Sequence, residues 1–352
     1  DPRMDLRSTP RTLRRPPVAL IAVGLAVGIA ACGDAYATPD LDPAGAVELE
    51  TTLAACPVDA DASAAPLVDT LATGLEVPWD AVFLPDGRAL VTERLGRIRV
   101  IGPGGLDPEP WADLDVYAHD EVGLMGIDLL DGPQPAVYVH RTVRSEAGGA
   151  IGSLIQRVGR RAIRAIDPER GHPTTIEVVR IPLRPDGTAG EPEVVVSGIP
   201  AFQLHGGGAL GFGPDGMLYV GVGDAADHPT AQNPRSLRGK LLRYRPDGTV
   251  PADNPDPDSP VWALGLRNLQ GLAWDDVTGA LVAIDHGPSG MVSEEGRSDR
   301  DELNVVEPGA NYGWPIVTGE TEGGPWTSAV GSWTPAIAPA GIAIYRGPAE
   351  AW

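Results

Sequence analysis

The chain has 352 residues, 42% apolar and 21% charged, ordinary globular material for one large or two medium domains. Its 48 acidic against 27 basic side chains leave a formal charge of −21, which argues against nonspecific nucleic-acid binding, because phosphate would be repelled, and suits a neutral substrate or a bound cation. The 45 Gly and 36 Pro alternate with short Val/Leu/Ile runs, a pattern of many turns in an all-β fold rather than of disorder.

Arg11, Arg14 and Arg15 precede an apolar run from Val18 to Ala31, too short for a comfortable membrane span and right for a signal-peptide core. The run ends in Ile29-Ala30-Ala31-Cys32-Gly33-Asp34, which resembles a bacterial lipobox. Residues 1–32 then form a lipoprotein signal, and Cys32 becomes the acylated first residue of an exported protein that meets the membrane only through its lipid. A chance cysteine beside an ordinary secretory cleavage site is the alternative. Cys56 is left without a partner, so there is no disulfide framework. Residues 33–66, rich in Ala, Asp, Thr and Pro, read as a flexible tether, and residues 67–352 as the globular domain.

A strand-turn-strand phrase recurs along that domain. Pro85-Asp86-Gly87 separates Ala81–Leu84 from Ala89–Val91, and Pro214-Asp215-Gly216 separates Leu210–Phe212 from Met217–Val220. Pro presets the first central φ, Asp caps its own turn, and Gly supplies the positive φ that closes a hairpin. The same triplet returns at Pro185–Gly187 and Pro246–Gly248, and Thr278-Gly279 bends a further pair of apolar runs. Repeated hairpins spaced by tens of residues predict a β-propeller, with a β-sandwich as the alternative. Ile151–Ile166 is broken by Gly152, Gly159 and several Arg, and reads as strand plus loop rather than helix.

Polar residues cluster just before or after predicted strands, where the loops of a propeller converge on its central channel. His205 is followed by three glycines, which would leave its ring uncrowded and let a flat ligand approach. A neutral imidazole there can take a hydroxyl proton, and Asp224 could orient it. Arg267 and Asn268 offer a guanidinium fork and an amide for carboxylate or carbonyl oxygens, although an arginine inside a propeller also serves to brace blades. The Gly287-Pro288 turn presents bare carbonyls, and Asp301 and Glu302 add hard oxygens, a set that suits calcium rather than zinc. Tyr312 and Trp314 could wall a sugar or a ring cofactor, or pack between blades.

Val77-Pro78-Trp79, Gly123-Leu124-Met125-Gly126, the His205–Asp224 segment, Gly239–Arg243, Arg267–Gly271, His286-Gly287-Pro288, Asp301–Asn304 and Asn311–Pro315 occur in that order. In this order the chain resembles the soluble glucose and aldose sugar dehydrogenases that use pyrroloquinoline quinone. The resemblance implies a six-bladed propeller whose last blade is incomplete in this chain, leaving it inactive or poorly folded by itself. It also implies oxidation of an aldose at C1 to the lactone, with electrons passed to an external acceptor. In it His205 looks like the general base, Asp224 its partner, Arg267 and Asn268 quinone-contacting groups, and the carbonyls of Gly287 and Pro288 ligands of a calcium ion. Two positions depart from the family pattern: Ser289–Arg300 makes a longer charged loop, and Leu266 stands where the family carries His. A non-catalytic, cell-surface carbohydrate-binding propeller and a calcium-dependent sugar lactonase are the competing readings, because a fold does not guarantee an activity.

Overall fold

The computed structural model describes residues 69–145, 173–288 and 300–345. The expected signal peptide, the tether, the Ile151–Ile166 segment and most of the Ser289–Arg300 loop lie outside them.

The described residues form an all-β propeller. Blade one comprises β1 (Pro78–Phe83), β2 (Ala89–Glu93), β3 (Arg97–Gly102) and β4 (Gly105–Leu106), with β5 (Ala112–Asp113) also paired to β3. Blade two comprises β6 (Leu124–Leu130), β7 (Ala136–Arg144), β8 (Thr174–Pro182) and β9 (Glu193–Ala201). Blade three comprises β10 (Leu210–Phe212), β11 (Leu218–Val222), β12 (Lys240–Tyr244) and β13 (Val261–Leu264), and blade four β14 (Leu269–Trp274), β15 (Leu281–Asp285), β16 (Asp301–Val306) and β17 (Gly331–Trp333). Each is an antiparallel meander in chain order, and a single 3-10 turn, His228–Gln232, interrupts the strands. Four blades are therefore seen among the described residues, against the six the resemblance implied.

All four Pro-Asp-Gly triplets close strand connections. At Pro85–Gly87 the Gly87 amide donates to the Leu84 carbonyl (2.9 Å), and Gly87 takes φ +85°, while the Asp86 carboxylate accepts the Arg88 amide (3.1 Å). Pro214–Gly216 repeats this geometry, with Gly216 at φ +70°.

Blades two and three each have a neighbouring blade on both sides, so their middle strands are apolar on both faces rather than on one. In β7, Val137 and Val139 pack toward blade one with Leu90, Ile98 and Leu124, whereas Tyr138 between them packs toward blade three with Leu218, Val220 and Leu242. In β11, Tyr219 points the other way, into a third cluster with Leu241, Leu269 and Ala283. Each such aliphatic side chain contributes about 1.5–3 kcal/mol by leaving water. A polar tie recurs from blade to blade: Asp80 of β1 accepts the Ile127 amide of β6 (3.1 Å), and Asp128 of β6 accepts the Phe212 amide of β10 (2.7 Å). Gly126 permits this approach, since a Cβ there would overlap the Gly208 carbonyl.

Candidate active site

The up-and-down order of each blade selects which residues meet. In blades three and four the first strand begins at one end of the propeller, the turn reverses the chain at the other end, and the second strand returns. Residues just before a first strand and just after a second one therefore share an end. His205 precedes β10, Asp224 follows β11, Arg267 and Asn268 precede β14, and His286 follows β15.

Arg267 is the hub. Its Nη2 lies 2.8 Å from His205 Nε2, its Nη1 donates to the His286 carbonyl (3.0 Å), and its guanidinium sits over the Trp314 ring, 5.7 Å from the centroid. The main chain beneath it is held by Asp285, whose two carboxylate oxygens accept the amides of Arg267 (2.8 Å) and Asn268 (2.6 Å). Burial pushes the Asp285 carboxyl up to about 6, against the pull of those two amides.

His205 is 3% exposed and takes φ +53°, a left-handed conformation that a non-glycine residue adopts only under constraint. The constraint is Glu121, whose carboxylate accepts the His205 amide at 2.7 Å. His205 Nδ1 lies 2.7 Å from Asp224 Oδ1. A carboxylate only accepts and a guanidinium only donates, so the proton sits on Nδ1 and the lone pair on Nε2. In that tautomer Nε2 can accept a proton, and Arg267 covers it.

Asp224 is fully buried and accepts four donors: His205 Nδ1 and the Ala226 amide (2.8 Å) on Oδ1, His228 Nδ1 (2.5 Å) and the Trp314 indole (2.8 Å) on Oδ2. Burial alone would raise its carboxyl, but the two imidazoles outweigh that and hold it well below the usual carboxylate range. His205, Asp224 and His228 place their donor atoms within 4.8 Å of one another, the grouping of a metal triad. Their contacts are instead those of hydrogen bonds, since each N···O separation is shorter than two ligands on one ion would show and every carboxylate lone pair already faces an N–H.

The three glycines after His205 serve the protein's own packing: Cβ atoms at Gly206, Gly207 and Gly208 would strike Val122, the Gly221 carbonyl and Met125. Asn268 holds the same loop, its Oδ1 accepting the Gly207 amide (2.9 Å) and Gln270 Nε2 (3.1 Å). Of the two aromatics, Trp314 reaches the site. Tyr312 turns into the core between blades three and four, where its hydroxyl donates to the Val305 carbonyl (2.7 Å). Leu266 lies in that same core, fully buried.

Gly287 and Pro288 are buried beside the Arg267 contact at His286. A side chain at Gly287 would overlap the Arg300 carbonyl, so at this position the turn offers main chain alone. Asp301 and Glu302 are not brought together. Successive strand residues face opposite sides. Asp301 is engaged by the amides of Gly287 (3.0 Å), Ile337 (2.7 Å) and Ala338 (2.6 Å), whereas Glu302 accepts the Gly319 amide (2.5 Å) and pairs in register with Asp285. Burial and then the Asp285 charge push the Glu302 carboxyl up to about 8. Between its ordinary value of 4.5 and about 8 the folded chain holds a proton that the unfolded chain releases. Stability is thus fullest below the ordinary value and declines as pH rises through the folded one. Denaturant titrations in calcium-free buffer should show wild type losing stability between these limits and Glu302→Gln losing clearly less. Equal losses would refute this reading of Glu302.

Sequence reasoning missed Glu121, His228 and Lys240. Lys240 is fully buried, donates to the carbonyls of Thr230 (3.0 Å), Ala231 (2.8 Å) and Arg238 (2.6 Å), and is pushed down to about 7 by burial. The one available signal for His228 was its spacing of four residues from Asp224.

A model of the glucose/sorbosone dehydrogenase family matches residues 75–352. Among curated relatives, an uncharacterized protein of Synechocystis is 34% identical over 320 residues, 81% of this chain and 69% of that protein. The aldose sugar dehydrogenase YliI of Escherichia coli is 30% identical over 262 residues, 71% of this chain, and the match spans 62% of YliI's own length. The structure of the PQQ-bound aldose sugar dehydrogenase of Streptomyces coelicolor superposes with a TM-score of 0.64 at 33% identity, covering 79% of this chain and 74% of that one. The family match runs from the first blade through every residue of the site described above, and the chain belongs to the glucose/sorbosone dehydrogenase family.

Proposed function

We propose that this protein oxidises an aldose at C1 to the lactone, using pyrroloquinoline quinone and calcium and passing the electrons to an external acceptor. The observation that carries this reading is the Arg267 guanidinium, which joins the lone-pair nitrogen of His205 to the carbonyl preceding the Gly287-Pro288 turn. Base, cation and bare main-chain oxygens thereby adjoin a single place.

The donor set fits the two groups. A guanidinium suits carboxylate and quinone oxygens, and a turn that admits no side chain at Gly287 suits a hard cation through the Gly287 and Pro288 carbonyls. When bound, the quinone supplies the two-electron acceptor and calcium polarises its carbonyl. His205 Nε2 takes the C1 hydroxyl proton as the C1–H bond leaves with its electron pair and the C1–O bond becomes a carbonyl. Arg267 must yield Nε2 for this step and turn its charge toward the ligand. Asp224 holds Nδ1–H and stabilises the imidazolium that forms, while Trp314 walls the site. Asp301 acts on the cation side by fixing the Gly287 amide.

The six-bladed ring is part of the proposal. It is supported by residues 337–342, which lie along β14, where Gly271 abuts the Ala340 carbonyl and His286 Nε2 lies 2.8 Å from the Pro339 carbonyl. Export and acylation at Cys32 are likewise proposed, from the sequence at residues 11–34. Labelled palmitate should enter the protein and fail to enter Cys32→Ala, and equal labelling would end that part.

The decisive assay mixes the purified protein with the quinone, calcium, a redox dye and a panel of aldoses. Dye reduction with lactone formation is expected. Quinone binding without dye reduction would instead identify a binding propeller, and lactone hydrolysis without any acceptor would identify a lactonase.

A further inference from the structure

His228 belongs to none of the motifs that mark the site, yet it holds half of the carboxylate on which His205 depends. We infer that His228 is a positioning residue for the proposed oxidation: through its Nδ1–H it fixes one oxygen of Asp224, so that the other stays aimed at His205. The inference rests on the reading of His205 as the base.

The geometry carries it in three ways. First, the two imidazoles take different oxygens of one carboxylate, 2.5 Å from His228 and 2.7 Å from His205, and their rings stand 6.0 Å apart at 29°. Neither can move without turning the carboxylate under the other. Second, the Trp314 indole reinforces the His228 side at 2.8 Å, and its ring meets His228 edge-on at 5.1 Å. Third, the turn that carries His228 is clamped over its second half. Lys240 takes the carbonyls of Thr230 and Ala231, and Gln232 donates to the Trp314 carbonyl (2.7 Å) and exchanges hydrogen bonds with Asn311 (3.0 and 2.9 Å). A fully buried ammonium and a reciprocal amide pair are a large commitment of polar groups to a five-residue turn, and what that turn presents to the site is His228.

Among the described residues, the charged groups facing His228 include Asp224 and His205 from blade three, the Asp227–Arg238 ion pair (3.1 Å) on its own connection, the Lys240 ammonium of β12, and Arg267, which sits over the Trp314 ring. Removing the His228 N–H leaves Oδ2 with the indole alone. More of the carboxylate charge then falls on His205, and the carboxylate is freer to rotate.

The test compares His228→Gln, which keeps an N–H donor, with His228→Phe, which keeps the volume and loses the donor. Nitrogen-15 imidazole NMR of the protein without quinone follows His205, assigned by the resonance missing from His205→Gln. In His228→Gln the His205 tautomer and titration midpoint should stay as in wild type. In His228→Phe the midpoint should rise by about one pH unit. The acid limb of kcat/KM should move with it, and kcat should fall about tenfold with KM little changed. Should His228→Phe not fold, His228→Ala with and without added imidazole replaces it, and restoration of the wild-type midpoint by imidazole is the expected result. An unmoved His205 midpoint in the variants lacking the donor, or equal shifts in Gln and Phe, overturns the inference whatever the activity. Intact coupling in a protein that oxidises no sugar overturns the functional reading alone.

Discussion

His205→Gln should lower kcat for aldose oxidation by about 10²–10⁴-fold and leave KM nearly unchanged. The substituted amide can still donate toward Asp224, and the groups expected to hold ligand, Arg267, Trp314 and the Gly287-Pro288 turn, are untouched. What disappears is a nitrogen lone pair at the position of Nε2, where the hydroxyl proton must go. The backbone hydrogen bond from residue 205 to Glu121 does not depend on the side chain, so the left-handed conformation at +53° is retained. Steady-state kinetics with a dye acceptor would measure the effect, and circular dichroism would verify the fold. A kcat within about threefold of wild type would remove His205 from the chemistry.

Asp224→Asn is expected to combine a comparable kinetic loss with a loss of stability. Four N–H groups converge on the Asp224 carboxylate, and an amide presents a second set of donors to at least one of them. If the amide nitrogen faces His205, the ring must shift its proton to Nε2, the atom that should be the base, and there it would also oppose Arg267. A misplaced imidazole tautomer in a triad costs about 10⁴-fold in kcat, and breaking a buried charge pair costs about 3–5 kcal/mol. The pH dependence runs opposite to that of Glu302. The Asp224 carboxyl is held below the usual range, so its stabilisation is complete above the ordinary carboxylate value and is lost as pH falls toward its folded value. Wild type and Asp224→Asn should therefore differ most at neutral pH and converge in acid. Parallel stability curves across that range would show that Asp224 is not ionised in the folded protein.

Local chemistry made part of this legible from the letters. A Pro-Asp-Gly triplet dictates its turn wherever it stands, so the hairpins, the all-β class and the repeated blade could be read before any coordinates. An up-and-down blade sends the residues flanking its first two strands to one end, so His205, Asp224, Arg267 and the His286-Gly287-Pro288 turn were found as one group. What only the tertiary structure decided is which side chain within each short segment faces that end. Tyr312 and Trp314 are two residues apart and chemically alike, yet one closes the core and the other reaches Asp224 across 90 positions of sequence. Asp301 and Glu302 are adjacent, and the alternation of a strand sends them to opposite faces. Glu121 meets the His205 amide across 84 positions, and His228 is set in place by a lysine ammonium and a glutamine amide that no spacing rule connects to it. Such contacts depend on how blades stack and on which polar groups are left to satisfy one another in the interior, and those are properties of the packed molecule rather than of any local stretch of chain.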